Sequence, residues 1–256
     1  ALGELRSPKE HRCFSQQLSR FASDARTIVE RHRGCLVYSG GDDVLAWLPL
    51  DHGLPAAREL HDRFGELMQG FSLSQSPTLS VGIAIGHCLE PLEDLLRAAR
   101  DAERNAKQGT RPDGSDDRNG LAVHLATRGS EPVRMRAQWA SGVPARLSPE
   151  QRLEQWIRYL LQNKLSSRAA YDLHGLAADY AVWMRSPEPD LLVQDLKRLL
   201  RKKRAGGKEL SAEVIEALAS QIHTREDLDL IARELIIARH MVEAYRQAAA
   251  AEGDQK

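Results

Sequence analysis

Two adjacent carboxylates follow a pair of glycines in the segment Ser39 to Asp43, which reads SGGDD. Apolar residues lie before it, from Cys35 to Tyr38, and after it, from Val44 to Leu48, which predicts a hairpin whose turn contains the glycines. Like charges so close repel each other, so a bound cation would stabilise both carboxylates in the ionised form. Mg²⁺ and Mn²⁺ prefer such oxygen ligands and bridge to phosphate groups. Because Gly and Asp are also ordinary turn residues, an exposed turn without chemistry remains open on these residues alone.

The elements that must hold this turn alternate between helix and strand. Before the turn, Ser7 and Glu10 have the spacing of a capping box, and apolar residues recur from Phe14 to Val29 at the intervals of a buried helix face. After the turn we predict a second helix, a strand at residues 78–85, and a third helix whose inward face includes Leu92. The turn is therefore expected at one end of an α+β structure.

After residue 108 the sequence predicts a loop, a hairpin and then only helices. Residues 109–120 carry no aliphatic or aromatic side chain, which predicts a surface loop, and a hairpin is predicted from 121 to 139. From Ser148 onward the apolar pattern is helical only, and Trp156 and Tyr180 suit the interior of a helical bundle. These patterns predict an α+β domain and an all-α domain, at residues 1–145 and 146–256.

The composition excludes several classes of protein. The 256 residues are 42% hydrophobic, which excludes a wholly disordered chain, and no stretch approaches the roughly 20 apolar residues of a membrane span. The first residues lack the pattern of a signal peptide. The 3 cysteines are far apart and form neither a disulfide framework nor a zinc pattern, which is typical of a reducing compartment. We therefore expect a cytoplasmic protein without a membrane partner.

Residues 8–140 resemble the second palm domain of the large subunit of type III CRISPR effector complexes, in its Cmr-like branch. The stretches that carry the resemblance are FSQQLSRFA (14–22), LVYSGGDDVLA (36–46), LSVGIAI (79–85), AARDAERNAK (98–107) and RNGLAV (118–123). The resemblance implies a ferredoxin-like palm, related to GGDEF cyclases and polymerase palms, followed by a C-terminal helical domain. The palm of that family begins with a strand that carries a further metal-binding aspartate, and this sequence begins after that point. We therefore expect only part of the active site in this chain.

The same resemblance implies a function. Proteins of this family are metal-dependent nucleotidyltransferases that join ATP into cyclic oligoadenylate when guide RNA pairs with target RNA. Asp42 and Asp43 match the catalytic metal ligands, for Mg²⁺ or Mn²⁺. Lys107 is matched to a lysine directed at the triphosphate, although a cation that neutralises the end of a helix is the alternative. The residues that match nucleotide-binding positions are Ser39, Gly40, Gly41 and Lys107.

Two other functions stay open. One is a non-catalytic scaffold subunit of the same complex that binds nucleotide or RNA. The other is a diguanylate cyclase, which Val44 disfavours because such enzymes carry a glutamate metal ligand at that position. The expected partners are guide RNA, target RNA and other subunits of the complex, among them the small helical subunit. The run from Lys197 to Lys208 holds 7 cations and no acid, so it indicates either an RNA contact or a solvated helix end.

Overall fold

The computed structural model describes residues 7–71, 77–109, 118–126, 131–140, 146–183, 189–202, 204–205 and 208–253. The chain divides into two compact units, one formed by residues 1–85 and 91–122 and the other by residues 86–90 and 123–256. The first residues, most of the predicted surface loop and the predicted turn at 129–130 lie outside the described residues.

The first unit contains the helices and strands that the sequence predicts, in the predicted order. They are α1 (Pro8–Arg31), β1 (Cys35–Gly40), β2 (Asp43–Trp47), α2 (Gly53–Met68), β3 (Val81–Ile85), α3 (Leu92–Lys107) and the first half of β4 (Gly120–Leu125). The fold class is α+β, as expected. Leu92 is a correction, because it is 63% exposed in the first turn of α3 and does not join the apolar face.

The helix α1 begins where its capping residues require. The Ser7 hydroxyl accepts the Glu10 backbone N–H and the Glu10 carboxylate accepts the Ser7 N–H, both at 3.2 Å, so the predicted capping box is confirmed. The apolar face of α1 packs against α2, where the rings of Phe21 and Phe64 meet edge to face with centroids 5.0 Å apart. The buried cluster between these helices consists of Phe14, Phe21, Ala25, Ile28, Leu60, Phe64, Leu67 and Met68. This cluster is the support on which the hairpin rests.

The strands lie in separate small sheets. In the described residues, β1 and β2 form a two-stranded antiparallel sheet, while β3, β4 and β5 (Val133–Gln138) form a three-stranded sheet in that order. No described strand joins the hairpin to β3.

The second unit is mainly helical. Its helices are α4 (Pro149–Leu161), α5 (Ser167–Trp183), α6 (Pro189–Arg201), α7 (Ala212–Ala219) and α8 (Arg225–Gly253). The predicted core residues Trp156 and Tyr180 are buried, at 0% and 7% exposure. The purely helical pattern was wrong at one point, because β6 (Arg204–Ala205) pairs with β7 (Lys208–Glu209) in a short antiparallel ladder.

A buried polar network joins α4 to α8. The Arg152 guanidinium donates to both carboxylate oxygens of Glu234, at 2.6 Å for the shortest contact, and to the Leu147 carbonyl at 2.7 Å. The Trp156 indole N–H donates to the same carboxylate at 3.1 Å. Glu234 is fully buried, and these donors compensate for the cost of removing its charge from water. None of the described helices combines the length and apolar character needed to cross a membrane.

Candidate active site

The tip of the β1–β2 hairpin is a two-residue loop. Gly40 pairs with Asp43 across the strands, so Gly41 and Asp42 make the turn. Gly41 has a φ of +66°, and a positive φ at the first central residue alone is the pattern of a type II′ turn. A methyl group added at Gly41 would meet nothing within 4 Å. Glycine is therefore favoured here by backbone conformation, not by lack of space.

The side chains next to the turn alternate between two faces. Ser39 faces α1, where its hydroxyl donates to the Ala22 carbonyl at 3.1 Å, and its cross-strand partner Val44 packs against the α1–α2 cluster. Because side chains alternate along a strand, Gly40 and Asp43 lie on the opposite face, away from α1. The predicted nucleotide-binding residue Ser39 thus has its hydroxyl engaged by the helix beneath the hairpin.

A β-bulge at Val37 sets this alternation. Leu36 pairs with Ala46 and Tyr38 with Leu45, which leaves Val37 as an extra residue in β1. The bulge places Tyr38 on the same face as Gly40, which is the face away from α1. The side chains of Tyr38 and Val37 are 56% and 53% exposed. If the side chains of β1 alternated without interruption, Tyr38 would lie on the same face as Leu36. The sequence analysis assigned Tyr38 no role in the site.

The two carboxylates at the turn have no protein partner among the residues that the structure describes. Asp42 and Asp43 are both exposed, and in the described ranges neither side chain makes an ion pair or hydrogen bond. The described residues contain no group of three or more His, Cys, Asp or Glu side chains that could hold a metal ion. The turn therefore offers two oxygen ligands. That number fits Mg²⁺, which binds proteins through one or two carboxylates and completes its shell with substrate phosphates and water.

Lys107 lies on a different element. It is the last residue of α3, and its ammonium group pairs with Glu103 one turn earlier, with both side chains 39% exposed. The helix α3 packs on β3, whereas the hairpin packs on α1. Arg104 and Lys107 both occupy the last turn of α3, where cations interact favourably with the helix dipole. The alternative interpretation of Lys107 as a helix-end cation therefore stays open beside the nucleotide-binding one.

The basic run in the second unit is only partly described. Lys197 donates to Glu216 at 2.9 Å, while Arg198 and Arg201 are exposed on α6. Lys203 and residues 206–207 lie outside the described residues. An RNA contact at this run stays a prediction.

Residues 1–118 match a protein-family model described as "Cas10/Cmr2, second palm domain". Over 99 residues the chain is 40% identical to the CRISPR system Cmr subunit Cmr2 of Pyrococcus furiosus. The first part of the chain is thus similar to the second palm domain of the Cas10/Cmr2 family. The resemblance to the large subunit of type III CRISPR complexes is therefore confirmed, and the palm has a nucleotidyltransferase-like fold. The aligned residues make up 39% of this chain and 11% of the Pyrococcus protein.

Proposed function

We propose that this chain is part of the nucleotidyltransferase palm of an RNA-guided type III CRISPR effector complex. In this proposal the complex makes cyclic oligoadenylate from ATP when target RNA pairs with the guide RNA. The observation that carries the proposal is a pair of exposed carboxylates, Asp42 and Asp43, on a glycine turn in a segment similar to the Cas10/Cmr2 palm. Among the described residues, neither carboxylate has a partner.

Asp42 and Asp43 would hold Mg²⁺ or Mn²⁺. The ion would orient the triphosphate, lower the pKa of the attacking 3′-hydroxyl and stabilise the charge on the leaving pyrophosphate. Gly41 permits the tight turn that presents both carboxylates, and Gly40 keeps the backbone beside them free of a side chain of its own. The Ser39 hydroxyl anchors the turn to α1, so that the carboxylates stand on a supported strand end.

Lys107 is proposed to contact the triphosphate of the bound nucleotide. Its present partner Glu103 is on the surface, and an exposed ion pair contributes about 0–1 kcal/mol, so little would be lost when the ammonium group turns to a phosphate. The other proposed partners are guide RNA, target RNA and the small helical subunit. They rest on the similarity to the Cas10/Cmr2 family together with the mainly helical character of the second unit.

The test compares the complex containing the native subunit with one carrying Asp42→Asn and Asp43→Asn. With ATP, Mn²⁺ and matching target RNA, the native complex should form cyclic oligoadenylate. The variant should lose product by more than about a hundredfold, because metal ligation contributes several kcal/mol to such reactions. Target-RNA binding should not change, since the substituted side chains lie on an exposed turn without protein partners.

A charge-matched control is the double variant Asp94→Asn and Asp101→Asn on α3, whose carboxylates pair with surface arginines. This variant should retain full synthesis. Product that persists in the Asp42→Asn, Asp43→Asn complex would refute the assignment. Absence of product from the native complex, with target RNA still bound, would instead support the non-catalytic scaffold.

A further inference from the structure

The phenol ring of Tyr38 stands beside the carboxylates of the hairpin turn. Tyr38 and Gly40 lie on the same face of β1, and Asp43 is the cross-strand partner of Gly40. Two strand positions separate Tyr38 from the Gly40–Asp43 pair, which corresponds to roughly 7 Å along the strand. In the described part of the chain the Tyr38 side chain makes no hydrogen bond or ion pair.

The hydroxyl end of this ring covers Gly40. A methyl group added at Gly40 would lie 2.3 Å from the Tyr38 hydroxyl oxygen and 2.8 Å from the ring carbon that bears it. The phenol therefore occupies the space directly over the glycine backbone. An exposed side chain exchanges rotamers within nanoseconds, so this cover is movable. Any ligand that approaches the turn from this face must displace the ring or pack against it.

We propose that Tyr38 binds the base of a nucleotide whose phosphates are held at Asp42 and Asp43 through a divalent cation. The inference rests on the proposed function and names the residue that would contact the base of the ATP substrate. An aromatic ring offers a base a stacking surface, whereas a phosphate group gains nothing from it. The ribose would span the interval between the ring and the carboxylates. Because every base has a flat face, stacking on Tyr38 would bind nucleotides without selecting adenine.

The experiment measures two affinities by calorimetry on the full chain, one for Mn²⁺ with ATP and one for Mn²⁺ with inorganic tripolyphosphate. Tyr38→Leu should weaken binding of ATP roughly tenfold to a hundredfold, because stacking on an aromatic residue contributes that much per base. Binding of tripolyphosphate should stay unchanged. Tyr38→Phe should behave as the native chain with both ligands, because the ring remains. Val37→Ala is the matched control, since Val37 is equally exposed and adjacent but lies outside the regular strand pairing.

Three results would overturn the role of Tyr38. They are an unchanged ATP affinity in Tyr38→Leu, an equal loss of both ligands in Tyr38→Leu, and a Tyr38→Phe chain as weak as Tyr38→Leu. If ATP binding is lost in Asp42→Asn, Asp43→Asn but is insensitive to Tyr38→Leu, the proposed function stands and only this inference falls. If the native chain binds neither ligand, the role of Tyr38 falls, while the proposed function is judged by cyclic oligoadenylate synthesis in the complex. Circular dichroism of each variant verifies that the fold is kept.

Discussion

At the scale of single residues, the carboxylate of Asp227 contrasts with those of Asp42 and Asp43. Asp227 is nearly buried and accepts hydrogen bonds from the backbone N–H groups of His223 and Thr224, at 3.1 and 3.0 Å, and from Arg146. Asp42 and Asp43 are exposed and, in the described ranges, have no such partners. A carboxylate with every oxygen engaged stabilises the fold, whereas a pair left open is available to a ligand.

The stability of the fold should depend on pH through the buried carboxylate of Asp227. Burial raises the pKa of Asp227, but hydrogen bonds from Arg146 and the His223 N–H outweigh it, so the pKa lies below its usual value. The stabilisation is therefore present above the unfolded pKa of about 3.9 and is lost as pH falls through the folded pKa. Asp227→Asn should cost about 1–2 kcal/mol at pH 7 and less at pH 3 in urea unfolding. A difference that is equal at both pH values would contradict this account. Asp229→Asn, at an exposed ion pair on α8, should change the free energy of unfolding little at either pH.

Packing between elements depends on a close approach of α3 to β3. A methyl group added at Gly82 would lie 2.1 Å from the Glu103 backbone nitrogen and 2.5 Å from the Ala102 carbonyl carbon. Both atoms belong to the helix backbone and cannot move aside alone. The glycine in β3 therefore sets how near α3 can lie, and α3 carries Lys107 at its end.

Gly82→Ala should destabilise the first unit by about 1–3 kcal/mol, because the helix must shift to relieve the overlap. The matched control is Gly65→Ala in α2, where an added methyl group meets nothing within 4 Å. That substitution should stabilise the chain by about 0.5–1 kcal/mol through helix propensity. Thermal unfolding of both variants checks the pair. Equal melting temperatures would show that α3 does not pack as closely on β3 as these distances require.

The sequence could predict those features of elements that depend on neighbouring residues. The capping box at Ser7 is formed, because it joins residues three positions apart. The bulge at Val37 could not be predicted, because it depends on how β2 pairs with β1. Leu92 follows the helical period but lies in the first turn of α3, where periodicity does not say whether another element covers it. At the site, the turn and its carboxylates could be predicted, and the position of Tyr38 could not.

At the scale of the whole molecule, the chain divides into its two compact units within β4, while a domain boundary at residue 145 stays a prediction. The second unit includes β5, which contacts α8, and the Arg233 guanidinium donates to the Arg134 carbonyl at 3.1 Å. The sequence pattern grouped β5 with the α+β part because hairpin periodicity ends near 139 and helical periodicity begins at Ser148. Periodicity identifies an element but does not indicate the core in which its apolar face is buried.

Two fragments can decide whether β5 belongs to the helical unit. Residues 131–256 keep β5, while residues 146–256 remove it and its Met135, which is 2% exposed in the intact chain. The longer fragment should be more stable by at least about 2 kcal/mol in urea unfolding, since burying one methionine side chain contributes that much. The shorter fragment should also bind a hydrophobic dye, because the surface of α8 that contacts β5 becomes exposed. If both fragments unfold at the same urea concentration, β5 does not stabilise the helical core. The boundary between the two domains would then lie at residue 145, as the sequence predicts.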